Sequence, residues 1–185
     1  MMLSHKQPLY HGSYCIVKVP NLEMCHAGRD FGRGFYLTTD LDQAKRFVRN
    51  SIRKQFRDDM ETQQTTGFVS VFEYKPDESL QIHEFETANI DWLHCIASHR
   101  RKNMLINSVT SWESYDIIYG KIANDTTNFV LTNYLNGAYG EVGSVMATEL
   151  AIRFLEPQNL KDQACFRTAH ALNAITFVDS IEVSI

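Results

Sequence analysis

Three short stretches carry the residue types that chemistry needs: Tyr10-His11-Gly12-Ser13, then Asp30-Phe31-Gly32-Arg33-Gly34-Phe35-Tyr36-Leu37-Thr38, and finally Asp162-Gln163-Ala164-Cys165-Phe166. An imidazole hydrogen-bonds a ligand, a glycine lets a ligand approach the backbone, a tyrosine ring offers a π-face, and glutamine adds a polar amide without charge. Each stretch alone has a plainer explanation. A histidine beside glycine is commonly a satisfied structural group, and Gly-x-Gly ahead of an aromatic strand is commonly a tight turn. Their order along one chain is the stronger signal. Competing chemistries are weaker: a metal site drawn from His94 and His99, or from His83 and Glu84, lacks the short paired spacing that ligation favours. Cys25 and His26 are adjacent, a placement that rarely gives nucleophile and base the right geometry.

The ordered set resembles the ADP-ribosyltransferases of the diphtheria-toxin and poly-ADP-ribose polymerase type. Their His, Tyr and usually Glu stand on three separate strands: His-Gly-Ser, Phe-Gly-Lys-Gly-Ile-Tyr-Phe and Glu-Tyr-Val-Val-Tyr. The matching pieces here are Leu9 to Ser13, Phe31 to Leu37 and Gln163 to Arg167. Tyr115 to Asp125 is similar to an uncharacterised bacterial branch of small proteins of this type, and the likeness is thin over residues 55–110. The resemblance implies that nicotinamide adenine dinucleotide (NAD) is a co-substrate, with ADP-ribose passing to a protein or nucleic-acid acceptor. It makes His11, Tyr36 and Gln163 the catalytic set, and His11, Gly12, Ser13, Arg29, Gly34, Tyr36 and Phe47 the NAD-binding set. His11 would then bond a ribose hydroxyl, Gly12 would bring its backbone to the carboxamide, and Tyr36 would stack on nicotinamide. Phe47, eleven residues beyond Tyr36, would clamp the ring from the other side, although its spacing equally fits the packed stripe of a helix. Ser13 and Arg29 or Arg33 would meet the ribose and pyrophosphate.

Cleaving the bond between nicotinamide and ribose needs a held leaving group, a fixed sugar and stabilisation of an oxocarbenium-like centre. Gln163 stands where most such proteins carry Glu, and an amide supplies no negative charge. Losing an electrostatic partner in an active site costs on the order of 3 kcal/mol, about a hundredfold in rate. Three readings follow: a slow transferase, which we favour; an enzyme using another carboxylate such as Glu141, Glu149 or Glu156; or a catalytically silent NAD-binding or protein-interaction domain. Asp30, in the loop entering the Tyr36 strand, would contact the acceptor or simply form the turn.

These residues must be positioned by elements legible in the pattern. Strands are expected near residues 8–14, 34–39, 68–74, 80–85, 115–122, 163–167 and 176–183. Lys-Pro-Asp-Glu-Ser joins the third and fourth as a plausible hairpin. Apolar positions Leu41, Ala44, Phe47, Val48, Ile52 and Phe56 recur at helical spacing behind the N-cap Asp40. Further helices are expected over 89–102, 126–135 and 142–155, the last stopped by Pro157, with a turn or short helix at 168–174. Strands and helices mix without regular βαβ alternation, and the glycine-rich loop enters a strand, not a helix, so a doubly wound dinucleotide fold is disfavoured. The expectation is α+β: two small, mainly antiparallel sheets forming an NAD cleft with flanking helices.

The 185 residues suit one domain, and 44% hydrophobic with 22% charged residues suffices for a packed core. A formal net charge of −4 gives no global basic field for nucleic acid, and the run Arg100-Arg101-Lys102 reads first as a solvated face. The four cysteines form no C-x-x-C pair and are expected to be small buried hydrophobes. The polar N-terminus and the lack of a long apolar run lead us to expect a cytoplasmic protein without membrane association.

Overall fold

In a computed structural model, residues 3–57, 64–100, 112–122, 125–156 and 160–185 are described. Seven strands are present: β1 (Pro8–Ser13), β2 (Phe35–Thr38), β3 (Thr66–Tyr74), β4 (Ile82–Glu84), β5 (Ile117–Lys121), β6 (Asp162–Phe166) and β7 (Ile175–Ser184). Five α-helices accompany them: α1 (Leu41–Gln55), α2 (Ile90–Arg100), α3 (Asp125–Leu135), α4 (Val145–Leu155) and α5 (Ala169–Leu172). The architecture is α+β.

Hydrogen bonding joins all seven strands in the order β4-β5-β6-β2-β1-β3-β7, so the two separate sheets expected from sequence are one mixed sheet. That sheet has a weak seam. β1 pairs with β3 at six positions but with β2 only at Tyr10↔Thr38. On either side the halves fold toward each other, because the rings of Tyr74 on β3 and Phe166 on β6 meet at 6.3 Å between centroids. In a flat sheet two intervening strands would hold them about 14 Å apart. Leu9, Phe35, Leu37, Phe72, Ile117 and Phe166 fill the fold between the halves.

α1 forms as its cap predicts, with the Gln43 amide donating to Asp40 Oδ1 at 2.8 Å. It buries Ala44, Val48 and Ile52 against Val69 of β3, whereas Phe47 turns outward and is 39% exposed. A Cβ on Gly12 would lie 2.0 Å from the Ala44 carbonyl oxygen, so the helix backbone sits directly on β1. Across the other half, α2, α3 and α4 bury Trp92, Leu93, Ile96, Leu131 and Tyr134 against Ile118 and Cys165.

The expected hairpin between the third and fourth strands does not form. Both edges of β3 are taken by β1 and β7, and β4 lies at the far edge of the sheet, parallel to β5. The helix expected from residue 142 starts at Val145, capped by Ser144, because Gly143 has a left-handed φ of 87°. The chain leaves it at Glu156, also left-handed; Pro157, expected to stop it, lies outside the described residues, as do Arg101 and Lys102. Cys95 and Cys165 are buried as expected, but Cys15 and Cys25 are only half-buried. Among the described residues no helix is long and apolar enough to cross a membrane.

Candidate functional site

Of the sequence-predicted residues, His11 and the Tyr36 main chain meet at the seam between β1 and β2. Among the described residues the β1–β2 ladder is the single pair Tyr10↔Thr38, and the half-buried His11 is the next residue along β1. Its Nδ1 lies 2.9 Å from the Tyr36 carbonyl oxygen and its ring packs on Phe35 at 4.4 Å between centroids. A carbonyl only accepts, so Nδ1 carries the hydrogen and Nε2 of the neutral ring is a bare acceptor. Burial lowers the His11 pKa, with the Tyr36 contact opposing it, which favours that neutral form. Nε2 has no hydrogen-bond partner among the described residues.

Tyr36 reaches His11 through its main chain, not its phenol. Strand alternation sends the half-buried Tyr36 ring to the side of its β6 partner Cys165, where the hydroxyl donates to the Gly32 carbonyl at 2.8 Å and accepts from the Phe31 amide at 2.9 Å. The phenol thereby braces the 31–34 turn, and burial raises its pKa well above the ordinary tyrosine value.

The remaining candidates divide. The missing side chain of Gly12 faces α1, so glycine is required there by helix packing, and its backbone is in the ladder with Val69 of β3. Gly34 is likewise demanded by packing, since a Cβ would lie 2.4 Å from Cys165 Sγ. Ser13 is buried at the end of β1, opposite Phe68. Arg29 is exposed in the loop. Arg33 is committed elsewhere, donating to the carbonyls of Leu22, Glu23 and Cys25 at 3.0 to 3.1 Å. Phe47 projects from α1 one turn beyond Ala44, the residue that meets Gly12, and at 39% exposure it lies outside the core formed by Ala44, Val48 and Ile52.

Gln163, only 6% exposed, lies on β6 opposite Thr38. Its Nε2 donates to Asp30 Oδ2 at 3.0 Å and, more weakly, to the Lys121 carbonyl at 3.5 Å. Asp30 Oδ1 in turn accepts from Arg100 Nη2 at 2.5 Å and Nε at 3.1 Å, while Arg100 Nη1 donates to Asn128 Oδ1 at 2.7 Å. Arg100 is thus a structural ion pair and not part of a solvated basic face. Glu141, Glu149 and Glu156 are all exposed, and none hydrogen-bonds to Gln163; the carboxylate beside it is Asp30. Sequence reasoning missed that pairing, for which the only signal was the place of Asp30 at the head of the Gly-Arg-Gly turn.

A separate cavity of about 340 Å³ lies beside this network, lined by Gly28, Gly32, Arg33, His99, Glu113 and Arg167 among others, but by none of His11, Tyr36 and Gln163. His99 Nδ1 donates to the Cys95 carbonyl at 2.8 Å, and Arg167 Nη1 donates to the carbonyls of Trp112 and Tyr115. His99 Nδ1 and Arg167 Nη1 are thus engaged with backbone, while Arg167 Nε is buried without a partner among the described residues.

No curated protein matches this sequence. A family model described as a protein of unknown function, DUF3990, matches residues 8–177, from the first residue of β1 to the third residue of β7, a span holding every site residue named above. The chain belongs to the DUF3990 family.

Proposed function

We propose that the protein is an NAD-dependent ADP-ribosyltransferase acting on a protein or nucleic-acid acceptor. The observation that carries this reading is the seam. His11, Tyr36 and Gln163 stand on the neighbouring strands β1, β2 and β6, β1 pairs with β2 at one position only, and His11 keeps a bare imidazole acceptor. These groups fit NAD. A strand edge presents the N–H and C=O pair that a carboxamide complements, and a neutral imidazole accepts from a ribose hydroxyl. Phe47 supplies an exposed aromatic face on the neighbouring helix.

In the reaction, the C–N bond between ribose and nicotinamide breaks and its electron pair passes to the ring nitrogen. The acceptor's lone pair forms the new bond at the anomeric carbon, and the acceptor's proton leaves to solvent. The contribution of the chain is to bind, orient and hold the sugar. Gln163 brings no charge, so turnover is slow by about two orders of magnitude relative to a carboxylate at that place.

The test combines calorimetry with NAD, nicotinamide release, and transfer from labelled NAD to a cell lysate. We expect binding, slow nicotinamide release, and a His11→Ala protein that folds but binds NAD at least tenfold more weakly. A folded protein that neither binds NAD nor releases nicotinamide would overturn the reading. The uncharged Gln163 favours one alternative, an NAD-binding domain without catalysis, which binding with no release would support.

A further inference from the structure

We infer that Asp30 is the positioning residue of this site: it fixes the amide of Gln163 so that Oε1, the acceptor, is the end presented to the ribose. The inference rests on the ADP-ribosyltransferase reading for the identity of the ligand, and on geometry for the rest.

A glutamine amide has a donor end and an acceptor end of the same shape, and only its surroundings decide which faces a ligand. Here the two groups at one end are a carboxylate oxygen and a carbonyl oxygen, both acceptors. Nε2 must occupy that end, because a flip would set Oε1 against both. Oε1 is left as the ligand-facing group and has no hydrogen-bond partner among the described residues. Asp30 holds this orientation because it is itself held. Arg100 grips Oδ1, Asn128 grips Arg100, and Gln163 donates to Oδ2, with the Arg100 and Asp30 side chains only 21% and 13% exposed. The chain of contacts draws one residue each from α3, α2, the loop before β2, and β6.

This arrangement explains why residue 163 is not glutamate. Two carboxylates about 3 Å apart cannot both ionise without strong repulsion, so a glutamate beside Asp30 would keep a proton. The negative charge of the site has moved from 163 to 30, where Arg100 partners it. Glutamine is the complement of Asp30, not a lapse.

The other titratable and charged groups around the pair are Arg100, His99 and Cys95 from α2, Tyr36 from β2, Cys165 and Asp162 from β6, and Lys121 from β5. Lys121 and Asp162 pair with each other at 2.9 Å. Burial raises the Cys95, Cys165 and Tyr36 values, Cys165 to about 12, and lowers that of His99. All are common to the variants below, so they cancel in comparison.

The experiment compares wild type, Asp30→Asn, Gln163→Glu and the double variant. Each is measured for melting temperature between pH 5 and 8 without ligand, for NAD affinity and for nicotinamide release. In Gln163→Glu the shared proton raises one carboxyl above its unfolded value, so its stability relative to wild type is retained at low pH and is lost as pH rises from the unfolded value through the raised folded one. The double variant, with an amide facing a carboxylate again, loses that slope. Asp30→Asn is expected to bind NAD about tenfold more weakly with its fold retained, because Gln163 is free to flip. The double variant regains affinity to within about threefold of wild type and releases nicotinamide faster than wild type. A Gln163→Glu protein whose stability follows wild type across the pH range overturns the pairing of 30 with 163. An Asp30→Asn protein that binds NAD as wild type does, or a double variant no better than Asp30→Asn, overturns the positioning role. Failure of wild type to bind NAD overturns the ligand assignment, and the ligand-free pH series then still decides the pairing.

Discussion

His11 shows how much a single side chain takes from its surroundings. Nothing in the sequence says which ring nitrogen bears the hydrogen; the Tyr36 carbonyl decides it and turns Nε2 outward as an acceptor. Burial lowers the folded pKa beneath the ordinary value of about 6.5. The unfolded chain therefore binds more protons than the folded one in the window between the two values, and stability rises with pH there. His11 contributes fully above the unfolded value and loses that contribution as pH falls toward the folded one. We expect NAD affinity to be flat above pH 7 and to fall on acidification, since a protonated ring has no acceptor. His11→Asn should show a shallower acid loss of melting temperature than wild type. A variant with the wild-type acid profile would show that the pH dependence lies elsewhere.

At the scale of elements, α1 separates packing from candidate function in two adjacent residues. Val48 is fully buried over β3, and Phe47 is exposed. Val48→Ala removes two buried methyl groups and is expected to cost about 1 to 3 kcal/mol in denaturant unfolding with little change in NAD affinity measured without denaturant, where the protein is folded. Phe47→Ala is expected to change stability by less than about 0.5 kcal/mol and to weaken NAD binding severalfold. Equal affinities for Phe47→Ala and wild type would remove Phe47 from the site. The helix itself was readable, cap and stripe alike, because the signals are local: Asp40, then Ala44, Val48 and Ile52 at fourfold spacing. The stripe also admitted Phe47, since a period of 3.6 marks a face but not its rim. The hairpin expected between β3 and β4 failed for the opposite reason. Lys-Pro-Asp-Glu-Ser is sound turn chemistry, but strand partners depend on which edges are already occupied, and β3 has none free.

At the scale of the whole molecule, the two sheet halves are joined by one β1–β2 bridge and by the core between them. Phe166, fully buried and in contact with Tyr74 across that fold, ties the halves together. Phe166→Ala is expected to destabilise the protein by about 3 to 5 kcal/mol and to lose NAD affinity as well, because the β1–β2 junction beside His11 depends on how the halves sit. A stable Phe166→Ala protein with wild-type affinity would show the seam to be independent of that core. The sequence by itself determined the α+β class, nearly every strand and helix, and the three stretches that hold the candidate site, because these follow from patterns a few residues long. Tertiary structure alone decided that the strands form one bent sheet, that Arg33 and the Tyr36 phenol brace loops, and that Asp30 meets Gln163. Those outcomes join residues as far apart as 30, 100, 128 and 163, and no local propensity encodes which distant backbone edge or polar group will be left waiting for a partner.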